Sequence, residues 1–557
     1  MPLVAFVVAV AGGFLLNEAL LPDVSIPNQI LATFGWGAVL CSAPAAVVDA
    51  RTLRTVAPLL LAIGLIAVAC MVSMAVGGMP RTPGLPQLGL LAMAAVLVLH
   101  GARMAPLSST VFRPFALALV IGGALGSVIG LLQIFAPGLL DNRLAAFLVY
   151  PGRAVGNLGQ SNQFADTQVW GLLGLIALQS SSAPARRRAW DVASALLGLL
   201  LVSGVVLSGS RTGLIGLGIV AVWGFADRRL AGPTRIAMVA ALALALLLHG
   251  LASTTLDQRT GSDFSSSRLL IWRDMLSLIG QQPLLGVGWG QLNFAWTLTP
   301  LPHRYHGFLG NAHDLPLQLA VELGLPLAGV VLGALALAFW RALRATFGAG
   351  DSGIEARCAV ALVAVIGIHS LLEYPLWLAY FLLPTAWAWG FALGAAAGPD
   401  VAAAGQPHRA WRIAGVAFLA CGAGAWFDYG TIAELYMPGP ATRSISERLG
   451  RAQASPLFRH YGDYALALQA ERPADVLPVI GQAARANLDG RLLFAWANAL
   501  EATGEDDKAR YVAARLREFE LPGAAPFFAA CADAGGAPKP FQCLPPSPGL
   551  TWHDLRP

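Results

Sequence analysis

One histidine, His313, stands where a polar stretch gives way to a long apolar one, in the segment NAHDLPLQL. Pro316 follows closely, and proline is favoured in the first turn of a helix. The partial positive charge at a helix N-terminus disfavours an imidazolium and so favours the neutral, proton-accepting ring. The position therefore predicts a general base for a hydroxyl nucleophile, with a structural role at the helix start as the alternative.

Two other segments place arginines beside apolar runs. Arg211 lies in SGSRTGLIG, a short turn, and Arg268 and Arg273 lie in SSSRLLIWRDML, where a serine can cap a helix. A charge held at a membrane edge is costly and is usually paired or functional. Because a guanidinium fork matches diphosphate oxygens, these arginines predict a diphosphate site. Snorkelling to lipid headgroups is the alternative, and it is stronger for Arg81 and Arg304.

The stretch GRAVGNLGQSNQFAD, residues 152–166, combines three glycines with uncharged polar side chains. Its hydrogen-bonding side chains are those of Asn157, Gln160, Asn162 and Gln163. Beside a membrane span, such a run suits sugar hydroxyls or a diphosphate better than an ion. A polar turn that satisfies its own backbone is the alternative.

Three histidines, His303, His306 and His313, raise the alternative of a zinc site. The carboxylate near them is Asp314, and the neighbouring Arg304 would repel a cation. The sequence also lacks a phosphate-binding loop, a serine elbow, a DxD motif in the predicted outer loops and a nucleotide-binding fingerprint. We therefore expect no metal and no cofactor, and a nucleotide-sugar enzyme is disfavoured.

The composition is that of a membrane protein. Of 557 residues, 56% are hydrophobic and 12% charged, with a mean hydropathy of +0.63, whereas soluble domains carry about 25% charged residues. The net charge of +5 is dispersed, and the longest basic tract is Arg186–Arg188. The sequence predicts an all-α polytopic protein surrounded by membrane lipids, with no nucleic-acid partner.

Thirteen apolar segments are predicted to span the membrane, since a bilayer needs roughly 20 residues per helix. The first is read as a retained span, because no basic region or small-residue cleavage site marks a signal peptide. The predicted spans are residues 3–20, 29–48, 56–77, 85–101, 114–136, 163–180, 190–208, 212–226, 235–252, 315–340, 357–372, 376–397 and 411–429.

Arginine-containing short loops alternate along these spans, which predicts a cytoplasmic N-terminus in a bacterial inner membrane. The predicted division is N-terminal spans 1–252, a large periplasmic loop 253–312, C-terminal spans 313–429 and a periplasmic tail 430–557. The polar stretch 137–162 is also predicted to be periplasmic. Eight arginines then lie outside, against the usual trend: Arg81, Arg143, Arg153, Arg211, Arg259, Arg268, Arg273 and Arg304.

The tail alternates apolar and charged residues at helical spacing over about 441–525, with Gly504 between two helices. This pattern predicts a tetratricopeptide-like hairpin. It serves either as a platform for a protein partner or as a helical cap on the external face. Cys531 and Cys543 are predicted either to form a disulfide in an oxidising periplasm or to remain free.

Five motifs, in this order, resemble bacterial protein O-oligosaccharyltransferases of the pilin-glycosylation type, within the O-antigen ligase and polymerase superfamily. They are GRAVGNLGQSNQFA, SGSRTG, SRLLIWRDMLSLIGQQPLLGVGWG, NAHDLPLQLAVELGLP and HSLLEYPLW. The resemblance covers residues 1 to about 430, and the tail resembles the family's periplasmic extension. The GNxxQxN pattern is more specific to the protein-glycosylating branch than the other motifs are. Asp314 departs from the family, which commonly has Asn there.

The resemblance implies inverting, metal-independent transfer of a glycan from undecaprenyl diphosphate to a Ser or Thr hydroxyl of an exported protein such as pilin. His313 matches the family's essential histidine, and Arg211 and Arg268 match its diphosphate-binding arginines. We add Arg273 and Arg153 to the expected diphosphate site. Glycan or acceptor contacts are expected from Asn157, Gln160, Asn162, Asn311, Asp314 and Glu373.

Two alternatives to this function remain open. In the first, the chemistry is the same but the acceptor differs: it is lipid A–core sugar for an O-antigen ligase, or a growing glycan for a polymerase. A lipid or polysaccharide transporter belongs to a different class and would need paired charges at mid-membrane in several helices. A structural scaffold would not need His and Arg concentrated on one side.

Overall fold

A computed structural model describes most of the chain, and every regular element in the described residues is helical. The described residues are 2–42, 47–107, 109–141, 145–146, 148, 152–180, 187–256, 264–302, 304–347, 353–395, 408–437, 443–532 and 538–555. His303, Arg143 and Arg259 therefore lie outside the described residues. The predicted all-α class is confirmed.

The helices alternate with short connections, and a π-helical turn at Val7–Gly12 joins the first two. In chain order they are α1 Pro2–Phe6, α2 Gly13–Leu15, α3 Ile26–Ser42, α4 Ala50–Val72, α5 Arg81–Met104, α6 Ser109–Phe135, α7 Ser161–Ser180, α8 Arg187–Ser208, α9 Arg211–Ala226, α10 Gly232–Leu256, α11 Phe264–Gln281, α12 Leu292–Leu298, α13 Leu315–Leu323, α14 Leu325–Phe347, α15 Ile354–His369, α16 Ala379–Gly394, α17 Arg409–Tyr436, α18 Ile445–Gln453, α19 Arg459–Gln469, α20 Leu477–Ala486, α21 Gly490–Ala502, α22 Asp506–Glu518 and α23 Ala525–Ala529.

Among the described residues, seven helical stretches are long and apolar enough to cross a bilayer. They are Ala50–Gly77, Arg81–Leu107, Val111–Phe135, Ala189–Ser208, Gly232–Gly250, Leu325–Phe347 and Arg409–Tyr436, with shorter apolar stretches at Pro2–Leu15 and Arg211–Ala226. The protein is therefore an integral membrane protein with several crossings. The predicted number of thirteen stays a prediction.

The chain forms two compact units, each built from separate segments. Unit 1 comprises Met1–Ile63, Leu90–Ser262 and Gly333–Trp426. Unit 2 comprises Gly64–Gly89, Asp263–Leu332 and Phe427–Pro557.

Unit 1 is organised around α7, which is buried without interruption from Phe164 to Leu178 and is apolar on all sides from Val169 onward to Leu178. A helix that is apolar on every side has to be enclosed by other helices, and here α6, α8, α9 and α15 pack against it. Small residues allow this close packing. A Cβ on Gly174 would lie 2.7 Å from the carbonyl oxygen of Ala116 on α6.

The sequence predicted one membrane span over residues 315–340. The structure instead has two helices there, α13 and α14, and the break between them lies in unit 2. Gly324 lies between them with φ +76°, a conformation that glycine adopts without strain. The preceding turn packs its backbone directly on the end of α13, where Val287 N–H donates to Val321 O (2.8 Å) and Leu325 N–H to Pro283 O (2.8 Å). The glycine-rich QQPLLGVGWG motif thus fixes α13, the helix that follows His313.

The tail of unit 2 contains the helices α18 to α23. Gly504, at φ +78°, separates α21 from α22, as predicted. Cys531 and Cys543 form a disulfide, which settles the pairing that the sequence left open.

Candidate functional site

The predicted site residues belong to both compact units. Unit 1 contains Arg153, Asn157, Gln160, Asn162, Arg211 and Glu373, and unit 2 contains Arg268, Arg273, Asn311, His313 and Asp314.

His313 has a left-handed backbone, with φ +51°. This conformation is uncommon for a residue other than glycine and costs about 1–3 kcal/mol, so it persists only where the surroundings impose it. The His313 N–H donates to Asn311 Oδ1 (3.3 Å), and the Ala312 N–H donates to Oε1 of the buried Gln318 (2.7 Å). The ring is half-buried at the tip of this turn.

Asp314 caps the helix that follows. Its Oδ1 accepts the Leu317 N–H (2.8 Å), and Pro316 lies in the first turn of α13, so the predicted helix start is confirmed. Burial raises the pKa of Asp314, and the bond from Leu317 opposes this shift. At the far end of α13, the buried Glu322 accepts the Leu292 N–H (3.3 Å) and ties the helix to α12.

Arg268 and Arg273 lie on different faces of α11. Five residues correspond to about 140° around a helix, and Arg268 shares the face of the buried Ile271 and Met275. Arg268 is half-buried and Arg273 exposed. The helix α11 packs on α13, the helix that follows His313.

In unit 1, Arg211 is the first residue of α9 and is exposed. Ser210 caps this helix by accepting the Gly213 N–H (3.1 Å), while its hydroxyl donates to Asn162 Oδ1 (2.7 Å). Gly209, at φ +60°, completes the turn. The positive charge of Arg211 therefore stands at a helix N-terminus that already favours anions.

Arg153 donates hydrogen bonds to the backbone of this turn. Its Nε donates to Ser208 O (3.0 Å) and its Nη2 to Gly209 O (3.3 Å), while the neighbouring Ala154 N–H donates to Leu207 O (2.9 Å). These contacts hold the turn that presents Arg211.

The structure divides the polar stretch 152–166 into two parts. Asn157 and Gln160 bind backbone: Asn157 Nδ2 donates to Leu15 O (2.7 Å), and Gln160 Oε1 accepts the Gln163 N–H (2.6 Å). The buried Gln133, which the sequence analysis missed, accepts the N–H groups of Val155 and Gly156. This part is therefore a turn whose backbone is satisfied partly from within, through Gln160, and partly by Gln133 from α6.

The other part joins two helices through side chains. Asn162 Nδ2 donates to Glu373 Oε1 (3.4 Å). One helical turn away on each side, Asp166 and His369 form a hydrogen bond between fully buried side chains. These two side-chain hydrogen bonds join α7 to the end of α15. Asp166 was not predicted from the sequence as a functional residue. The feature that could have indicated it is its spacing, because it is a carboxylate one helical turn after Asn162.

The described residues contain no group of three or more His, Cys, Asp or Glu side chains that could hold a metal ion. The exposed His306 lies 3.8 Å from Glu520 of the tail. His303, which the zinc alternative also requires, lies outside the described residues.

Two segments match known families. Residues 196–332 match the family described as O-antigen ligase, and residues 358–523 match the one described as virulence factor membrane-bound polymerase, C-terminal. The first match includes the Arg211 turn, Arg268 on α11 and the His313 turn, and the second extends from α15 into the tail.

Two curated proteins of Acinetobacter baylyi are similar to this chain. A general O-oligosaccharyltransferase is 29% identical over 323 residues, or 54% of this chain and 52% of that protein. A ComP-specific O-oligosaccharyltransferase is 26% identical over 255 residues, or 43% of this chain and 44% of that protein. The chain thus spans about half the length of the curated relatives it matches. With the family matches, these similarities confirm the predicted resemblance to the O-antigen ligase superfamily.

Proposed function

We propose that this chain, which resembles the O-antigen ligase superfamily, transfers a preassembled glycan from undecaprenyl diphosphate to Ser or Thr hydroxyls of periplasmic proteins such as pilin. The observation that carries the proposal is the left-handed His313 turn, which Asn311 and Gln318 hold from either side at the start of α13. The names of the two relatives support a protein acceptor.

In the proposed step, the neutral His313 ring accepts the proton of the acceptor hydroxyl while its oxygen bonds to the anomeric carbon. The bond from that carbon to the diphosphate oxygen breaks on the opposite face, so the configuration inverts. Undecaprenyl diphosphate leaves as an anion. Its developing charge needs fixed cations, and Arg211 and Arg268 are the proposed ones.

The other predicted residues take roles that follow from their contacts. Arg153 braces the Arg211 turn, and the exposed Arg273 is the weaker candidate for diphosphate binding. Asn162 and Glu373 are proposed to face the glycan or acceptor, whereas Asn157 and Gln160 shape the backbone beside them. Asn311 and Asp314 hold the His313 turn.

The proposed setting is the bacterial inner membrane, with a cytoplasmic N-terminus and the His313 turn and tail in the periplasm. The division into 1–252, 253–312, 313–429 and 430–557 is proposed as a functional one. This chemistry uses no cofactor.

Co-expression with a lipid-linked glycan and a pilin, followed by intact-protein mass spectrometry, tests the proposal. We expect the pilin mass to increase by one whole glycan, and His313→Ala to abolish the increase. The second candidate is ligation to lipid A–core, which the O-antigen ligase match favours. Restored surface polysaccharide in a strain lacking its own ligase, with unmodified pilin, would establish that candidate instead.

A further inference from the structure

Within unit 2, the C-terminal tail contacts the segment that leads into His313. This segment, residues 299–312, is called here the pre-histidine loop. It begins at the end of α12 and ends at the left-handed turn. In the described residues it has no regular helix, so its path depends on what it packs against.

Arg304 anchors the middle of the loop. Its side chain is 1% exposed, and its Nε lies 3.1 Å from Glu518 Oε2 at the end of α22. Its Nη2 donates to Thr299 O (2.6 Å), and the guanidinium lies over the Phe519 ring at 4.3 Å. A buried charge needs such partners. Arg304 is therefore not a snorkelling residue at the lipid surface, as the sequence alternative had it, but an internal contact with the tail.

Two contacts lie closer to His313. Phe308 stacks on Phe519 with ring centroids 4.2 Å apart. Asn293 on α12 donates both to Leu309 O (2.9 Å) and to Leu488 O of the tail (3.2 Å), and its Oδ1 accepts the Leu488 N–H (2.7 Å). The loop is thus tied to the tail only four residues before His313.

The start of the loop is held in the same way. Tyr511 of α22 donates its hydroxyl hydrogen to Leu298 O at the end of α12 (2.6 Å). Phe294 of α12 packs against Trp496 and Trp552 of the tail. Tail side chains therefore contact the end of α12 at Leu298, the middle of the pre-histidine loop at Arg304 and the last third of that loop at Phe308.

We propose that the tail is an internal scaffold that positions His313 for glycan transfer, with Arg304 and Phe308 as positioning residues seated on Glu518 and Phe519. The left-handed backbone at His313 is strained, and such strain persists only where neighbouring contacts over-determine it. Without the tail contact, the loop relaxes and carries the ring away from the acceptor hydroxyl. The proposal rests on the proposed function and gives the tail a role that needs no outside partner.

Phe519→Ala removes the ring beneath both Arg304 and Phe308, whereas Phe519→Tyr keeps it. Phe494→Ala is the matched control, because the half-exposed Phe494 packs on Phe527 within the tail. Initial transfer rates give kcat and KM for donor and acceptor. Chymotrypsin cleavage after Tyr305 and Phe308, in the same purified proteins, reports on the loop without requiring activity.

We expect Phe519→Ala to lower kcat at least about tenfold with little change in either KM, because a misplaced base costs rate rather than binding. It should also accelerate cleavage of the loop. Phe519→Tyr and Phe494→Ala should resemble the wild type in both measurements.

Three outcomes would overturn the scaffold. They are a wild-type kcat in Phe519→Ala, an equal loss in Phe494→Ala, or a loss confined to the acceptor KM, which would make the tail an acceptor platform. If the wild-type protein transfers no glycan to any acceptor, the proposed function is wrong. The rate of chymotrypsin cleavage would then still show whether the tail holds the pre-histidine loop in place.

Discussion

His313 combines a strained backbone with side-chain contacts on both sides of its turn. A serine hydroxyl is a weak nucleophile, and a positioned base typically accelerates its reaction about 10²–10⁴-fold. We therefore expect His313→Ala to abolish detectable transfer while expression and donor binding persist. His306→Ala and His303→Ala should retain substantial activity, and chelators should have no effect. Loss of activity in all three variants, reversed by added zinc, would establish a metal site instead.

Arg211 and Arg268 are proposed to bind the diphosphate from different surroundings, one exposed at a helix start and one half-buried on α11. A hydrogen bond to a charged partner contributes about 1.5–3 kcal/mol. Lysine keeps the charge but lacks the fork. Arg211→Lys and Arg268→Lys should therefore lower transfer at matched membrane abundance, with Arg273→Lys as the comparison. Wild-type rates in both would mean that these arginines contact only lipid headgroups.

At the scale of helices, the Asp166–His369 pair sets α7 against α15 so that Asn162 and Glu373 face each other one turn away. Leaving one partner of a buried hydrogen bond unsatisfied costs about 1–3 kcal/mol, whereas replacing both partners with apolar residues can be nearly neutral. Asp166→Val and His369→Leu should each lower the thermal unfolding midpoint in detergent, and the double variant should recover most of the loss. Strictly additive losses would show that the two residues act independently.

Asp314 caps α13, and an Asn side chain, which the resembled family commonly has at this position, can make the same capping hydrogen bond. Both side chains accept the N–H of a residue three positions on, whereas Ala does not, and losing such a cap costs about 1 kcal/mol. Asp314→Asn should retain near-normal transfer, and Asp314→Ala should lower both stability and rate modestly. If Asp314→Asn were as inactive as His313→Ala, the carboxylate would have a chemical role rather than a capping one.

At the scale of the whole molecule, the proposal requires the tail and the His313 turn to face the periplasm. Alkaline phosphatase folds and becomes active only after export. A fusion after Gly450 should therefore be active, and a fusion after Arg188 should be inactive. The expectation rests on the alternation of arginine-containing loops. The reversed pattern would place the proposed site on the cytoplasmic side and remove its lipid-linked donor.

The sequence by itself determined the membrane class and the helical fold, and it predicted the segments to which the proposed site is assigned. Partitioning into lipid depends on local composition, so apolar runs are readable without tertiary contacts. The starts of α9 and α13 were also readable, because the predicted spans begin at residues 212 and 315 and Pro316 is a residue type favoured in a first turn. The break at Gly324 was missed, since it reflects the packing of a preceding turn rather than local hydropathy.

Only the tertiary structure decided which polar residues meet. Arg304 and Glu518 are 214 positions apart, and Asp166 and His369 are 203 apart. Contacts at such separations leave no periodic trace in one sequence. The same limit applies to Gln133, which organises the polar stretch, and to the tail, whose contact with the pre-histidine loop no repeat pattern could reveal. The sequence therefore predicted the proposed base, arginines and acceptor-facing stretch, whereas the tertiary structure showed which residues contact and support them, because a support is defined by its contacts rather than by its residue type.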